Sequence, residues 1–178
     1  LNVNIQNITD LPKAMFEKKV HKLKKKTQGE LIIKEYPTAS AHSGHFKALL
    51  NELSLKKSFK PDIIFIDYLN ICASSRYRAN SNVNSYSYIK AIAEELRGLA
   101  VEANLPIVSA TQTTRSGYGS SDVDLTDTSE SFGLPATADL MFALISTEEL
   151  EGLNQIMVKQ LKNRYNDPTI YKRFVIGI

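Results

Sequence analysis

Residues 61–70 read PDIIFIDYLN, an apolar run that ends on a carboxylate. Ile63, Ile64, Phe65 and Ile66 follow one another without a polar break, and Asp67 closes the run. An uninterrupted β-branched and aromatic run of this length predicts a strand buried on both faces, as in a parallel sheet. The terminal acid has two readings. In open α/β sheets, ligands gather at the carboxyl ends of the strands, where a carboxylate can hold Mg²⁺, directly or through water, beside nucleotide phosphates. It can equally cap the loop that follows.

Upstream, Ser43 to Lys57 predicts a helix with Phe46, Leu49, Leu50 and Leu53 inward, preceded by a short strand over ELIIKEYP, residues 30–37. Earlier still, Thr9 or Asp10 can cap a helix with Pro12 in its first turn, and Leu11, Met15, Phe16, Val20 and Leu23 recur at helical spacing before the lysine run at 22–26. Downstream, the polar loop ASSRYRANSNVN leads to a helix over Ser85 to Ala103, whose Ile89, Ile92, Leu96 and Leu99 form one stripe, and then to a strand in PIVSATQ. Strand, helix and strand in this order predict right-handed parallel crossovers and an α/β fold. After the Gly-, Ser- and Asp-rich loop TTRSGYGSSDVDLTD come strands in DLMFALIS, QIMVKQLKNR and YKRFVIGI. The turn-forming YNDPT joins the last two into an antiparallel hairpin. With no internal repeat and no linker, residues 1–178 read as one domain.

Composition narrows the classes. At 178 residues, 43% hydrophobic, the chain can build one sizeable core. A formal net charge of +3 permits a polyanionic partner without requiring one. The single cysteine, Cys72, excludes an internal disulfide framework, and no apolar run approaches the ~20 residues of a membrane span, so a cytoplasmic protein without a membrane partner is expected. The chain starts at Leu1 without a targeting pattern and is expected to be a piece of something longer.

Other residues carry chemistry only in combination. Gln112 closes the PIVSATQ run with an amide able to meet a terminal phosphate or an attacking water, or else to anchor its own loop. Lys162 and Arg164 stand two apart on a strand and so share a face, an ammonium and a guanidinium suited to phosphate or, alternatively, to guarding a sheet edge. Arg76 and Arg78 beside Tyr77, and Arg115 near Tyr118, place cations and aromatic rings in loops, as single-strand binding requires; solvated loop charge is the other reading. No G-x-x-x-x-G-K-[ST] cradle is present, and His42 with His45 is an isolated pair rather than a zinc-ligand set.

Taken in order, IIFIDYLN, LPIVSATQTTR, LTDTSESFGLPATADLMFAL and KNRYNDPT resemble the C-terminal RecA-like motor of DnaB-type replicative DNA helicases, most closely the version in T-even-like bacteriophages. The resemblance covers residues 61 to about 170. It implies a partial RecA-like P-loop NTPase core, a mostly parallel central sheet flanked by helices with a C-terminal antiparallel hairpin. It further implies an ATP- and Mg²⁺-dependent helicase that works as a homo-hexamer on single-stranded DNA, with a primase and a helicase loader as partners, in the host cytoplasm if phage-encoded.

By position, Asp67 would be the Walker B acid on the metal shell and Gln112 the sensor of the terminal phosphate. Lys162 and Arg164 would reach across a subunit boundary to the neighbour's nucleotide, with Arg164 as arginine finger. Ser129, Glu130 and Phe132 fall in the loop that holds DNA inside the ring, although bacterial relatives tend to carry Arg and Gly in place of Ser129 and Phe132. The P-loop and catalytic glutamate are expected before Leu1, so the piece alone is expected to be inactive. Three rival readings remain: a RecA-like recombinase core, a non-catalytic RecA-like binding module, and a Toprim-like metal nuclease using Asp67 and Asp139.

Overall fold

The structure, a computed structural model, describes residues 10–77, 82–113, 124–125 and 133–178. The chain divides into two compact units, Leu1–Glu35 and Tyr36–Ile178. In the first, α1 (Lys13–Lys26) starts directly after Pro12, and no side chain caps its first turn. The expected Asp10 cap is therefore not used, and Thr9 lies outside the described residues. A cap at Asp10 would require Leu11 to be helical, and the ring of a following proline disfavours that conformation. Lys24, Lys25 and Lys26 occupy the last turn, where cations are favoured by the helix dipole.

The strand expected at residues 30–37 does not form. Its apolar residues suit a strand, but Leu31 and Ile33 are 79% and 83% exposed, and no described strand supplies a ladder for the segment. A strand pattern without a hydrogen-bonding neighbour has nothing to hold it extended.

The second unit contains α2 (Ser43–Lys57), β1 (Ile64–Ile66), a 3₁₀ turn over Leu69–Ile71, α3 (Ser85–Ala103), β2 (Ile107–Ser109), α4 (Gly133–Thr137), β3 (Leu140–Ile145), α5 (Glu148–Gly152), β4 (Gln155–Asn163) and β5 (Arg173–Gly177). β1 and β2 pair in parallel, Ile64 opposite Ile107 and Ile66 opposite Ser109, across the α3 crossover. β3, β4 and β5 form an antiparallel sheet in that order. The predicted hairpin is β4–β5, and β3 joins it from the other side.

Helix α3 organises the core because its apolar stripe is continuous. Asn84 caps it through a 2.8 Å bond from the Ser87 N–H, and Asn104 ends it in the left-handed conformation. Ile89, Ile92, Ala93 and Leu96 pack with Leu69, Cys72 and Leu134, and Phe46, Ile66 and Tyr88 close around them. This places the β1 end, the 3₁₀ turn and α4 on one helix. β1 itself is not buried on both faces as expected: Ile64 and Ile66 turn inward, whereas Phe65 is 68% exposed. Among the described residues of the second unit, helix α3 packs on the Ile66 side of the β1–β2 ladder.

A bulge breaks the β3–β4 register. Met141 pairs with Lys162 but Phe142 pairs with Gln160, so Leu161 is an extra residue in β4. Lys162 therefore shares a face with Met141 and Ala143, on the inner side of β3, and Gln160 shares one with the outward Phe142.

Candidate functional site

Asp67 follows β1 directly and is exposed, and its carboxylate meets no hydrogen-bonding or charged partner among the described residues. The cap reading finds no bond to support it. The Asp67–Tyr68 peptide is cis. Gln112 lies beyond the end of β2 rather than on it, and its amide nitrogen is 3.4 Å from the Tyr68 hydroxyl. Between them the two strand ends are stitched together. Ser109 Oγ donates to the Ile66 carbonyl at 2.8 Å, the Leu69 N–H reaches the Ala110 carbonyl at 3.1 Å, and Thr111 Oγ1 donates to Asn70 Oδ1 at 2.8 Å. Asp67 and Gln112 thus stand on two segments fixed to each other, and Tyr68 and Asn70, not anticipated from the sequence, help to fix them.

A second cluster forms around α4. Lys162, near the end of β4, donates its ammonium to the Pro135 carbonyl and, at 3.5 Å, to that of Ala136. Arg164 follows the strand and donates Nη2 to the Ala136 carbonyl at 3.2 Å, and its Nε forms an ion pair with Asp139 Oδ1 at 2.8 Å. Arg97, from α3, reaches the same Asp139 oxygen at 2.7 Å and the Thr137 carbonyl at 2.8 Å. The sharing of a face by Lys162 and Arg164 is as the sequence predicted. Their shared seat, the carbonyls at the end of α4, was not legible in it. Burial, reinforced by the Arg164 charge, lowers the Lys162 pKa below the ordinary lysine value. Three cations face one carboxylate here, so the cluster keeps surplus positive charge.

Arg76 is described, and its guanidinium is paired with Glu94 on α3. The loop carrying it is pinned by Glu95. That carboxylate accepts from Ser74 Oγ at 2.6 Å, from the Ser75 N–H at 2.9 Å and Ser75 Oγ at 2.7 Å, and from Ser43 Oγ at 3.1 Å. Burial works to raise the Glu95 pKa, but these bonds outweigh it and hold the group below the usual carboxylate value. The other nucleic-acid candidates, Arg78, Arg115, Ser129, Glu130 and Phe132, lie outside the described residues.

The His42 and His45 rings lie with centroids 4.1 Å apart, tilted by 56°, and cap α2: His42 Nδ1 accepts from the Gly44 N–H at 3.0 Å and His45 Nδ1 from the His42 N–H at 3.2 Å. No group of three or more His, Cys, Asp or Glu side chains among the described residues could hold a metal ion. No helix of those residues is long and apolar enough to cross a membrane.

Residues 2–172 match the family of DnaB-like helicase C-terminal domains. The chain belongs to this family. Along its whole length it is 48% identical to the DnaB-like replicative helicase of Enterobacteria phage T4, of which it spans 38%. Two solved structures share the fold of this DnaB-like domain. One is a DnaB-like replicative helicase described with its interactions with primase, at TM-score 0.62 and 20% identity over 79% of this chain and 34% of that one. The other is an ATPase domain, at TM-score 0.73 and 20% identity over 98% of this chain and 61% of that domain. The DnaB-like chain described above therefore spans well under half of the T4 relative.

Proposed function

We propose that this DnaB-like chain is the C-terminal portion of one motor domain of an ATP-driven replicative DNA helicase that moves along single-stranded DNA and parts the duplex ahead. The observation that carries this reading is the 48% identity, along the whole chain, to a replicative helicase. The stitched strand ends and the cationic cluster supply the side chains such a motor requires. Phosphoryl transfer depends on positioning and charge neutralisation more than on covalent help, so scattered acids, amides and cations suffice.

Asp67 would lie on the Mg²⁺ shell. Mg²⁺ takes one or two carboxylates and fills its other positions with water and phosphate oxygens, so a single exposed, unpartnered Asp67 fits it. When bound, the ion would neutralise charge on the phosphates. Gln112 would sense the terminal phosphate, and Lys162 and Arg164 would meet the nucleotide held by the neighbouring subunit of a homo-hexamer. Arg76, Arg78 and Arg115, with the segment holding Ser129, Glu130 and Phe132, would follow the DNA backbone. Primase and a loader would be the protein partners, in the cytoplasm of the host. The nuclease reading is disfavoured because Asp139, its second carboxylate, is engaged by Arg97 and Arg164.

The test mixes subunits of the intact helicase. Arg164→Ala should leave nucleotide binding in place and lower hydrolysis by up to the ~10³–10⁵ attributed to arginine fingers. Asp67 acts on its own subunit's nucleotide and Arg164 on the neighbour's, so rings mixed from Arg164→Ala and Asp67→Asn subunits should regain hydrolysis. If mixed rings, with exchange confirmed, show only the sum of two inactive enzymes, the reading of Arg164 as a finger in trans is lost.

A further inference from the structure

Arg164 is only partly engaged. A guanidinium has five N–H donors. One on Nη2 is taken by the Ala136 carbonyl at 3.2 Å, and Nε lies 2.8 Å from Asp139 Oδ1 as an ion pair. Nη1 meets no polar group among the described residues, and a planar guanidinium with donors to spare suits a phosphate. We propose that Asp139 is a positioning residue for Arg164, pairing with the Nε side of the guanidinium so that Nη1 is presented to a phosphoryl group.

Three further observations support the assignment. The Arg164 N–H donates to the Asp139 carbonyl at 2.9 Å, so backbone pairing brings the two residues together before their side chains meet. Asp139 is shared, because Arg97 Nη1 reaches the same carboxylate oxygen at 2.7 Å. A carboxylate divided between two guanidinium ions orients each without cancelling its charge, and Lys162 adds a third cation on the adjoining α4 carbonyls. Lastly, Asp139 and Arg164 are each partly exposed, at 34% and 43%, so a ligand can approach the pair.

The proposal rests on Arg164 acting as the finger, and the experiment separates the two claims. In the intact helicase, with ring assembly confirmed, kcat and KM for ATP are measured for Asp139→Asn, Arg164→Ala and the double variant Asp139→Asn with Arg164→Ala. Asp139→Asn keeps the shape but lowers the pull on Nε. It should reduce kcat by ~10- to 100-fold, the usual scale for disturbing a group that orients another, with KM unchanged. In the double variant, Asp139→Asn should cost nothing beyond Arg164→Ala. The positioning role is overturned if Asp139→Asn keeps full kcat while Arg164→Ala does not, or if the two losses multiply. If Arg164→Ala itself retains wild-type hydrolysis, the finger reading fails first and takes the proposal with it.

Discussion

Glu95 shows how one side chain can organise a loop that no regular structure holds. It draws Ser43 from α2 and Ser74 and Ser75 from the loop onto α3, and the Arg76–Glu94 pair adds a second tie one residue further on. Its folded pKa lies below the value it would have unfolded, so its contribution is fully present above the unfolded carboxylate pKa and is lost as pH falls through the folded one. Glu95→Gln should therefore cost about 2 kcal/mol near neutrality, the scale of hydrogen bonds to a charged group, and flatten the acid limb below roughly pH 4.3 in denaturant titrations at stepped pH. An unchanged acid limb would show that the loop is held by something else. Residues of this kind are hard to read from sequence. Asp67, Lys162 and Arg164 were legible because polar groups at strand ends are conspicuous. Glu95 and Arg97 belong to the charged face of an amphipathic helix, where each looks like ordinary solvated charge until the fold supplies its partners.

α2 and α3 emerged at the bounds their sequence implies and the three C-terminal strands inside their apolar runs, whereas α4 and α5 were not anticipated and the parallel strands are shorter than expected. α2 and α3 carry their own period and their own caps, so local information suffices. Strands depend on partners distant in the chain. Hence residues 30–37 have strand composition without a strand, PIVSATQ yields only Ile107–Ser109, and Asp67 and Gln112 lie just beyond ladders of three residue pairs. The burden on α3 is correspondingly large. Ile92, 1% exposed at the centre of the core, should cost ~2–5 kcal/mol on truncation to Ala. By contrast, His42→Ala should cost only ~1 kcal/mol, because it removes a helix cap and leaves the packing intact. Thermal melts of the two variants would rank them, and a larger loss for His42→Ala would mean that the histidine pair supports more than the start of α2.

Among the described residues, the second unit carries exposed apolar side chains on both of its sheets. Phe65 and Val108 are open on the parallel ladder, and Leu140, Phe142 and Leu144 form an apolar row on the outer side of β3. Patches of this kind mark surfaces that other protein normally covers. The 178-residue chain by itself should therefore bind an apolar fluorescent dye and associate as its concentration rises in sedimentation runs. Lacking a G-x-x-x-x-G-K-[ST] loop, it should also release phosphate from Mg·ATP only at background rate. Steady turnover abolished by Asp67→Asn would contradict the split of chemistry between segments. The irregularity in β4 fixes where the length of this strand is free to drift. Met141 faces Lys162 and Phe142 faces Gln160 with Leu161 left over, so removing that leucine would join two residues whose partners on β3 are already consecutive. Both cations would keep their neighbours, and only an apolar contact with Ala143 and Ile145 would be forfeited. A deletion anywhere else in β4 would turn one part of the strand over and carry either the apolar residues or the basic pair to the wrong side. Leu161 is thus the place where β4 can lose a residue at a cost in melting temperature alone, while shortening the strand at Lys159 should abolish the ATP hydrolysis proposed for the intact protein.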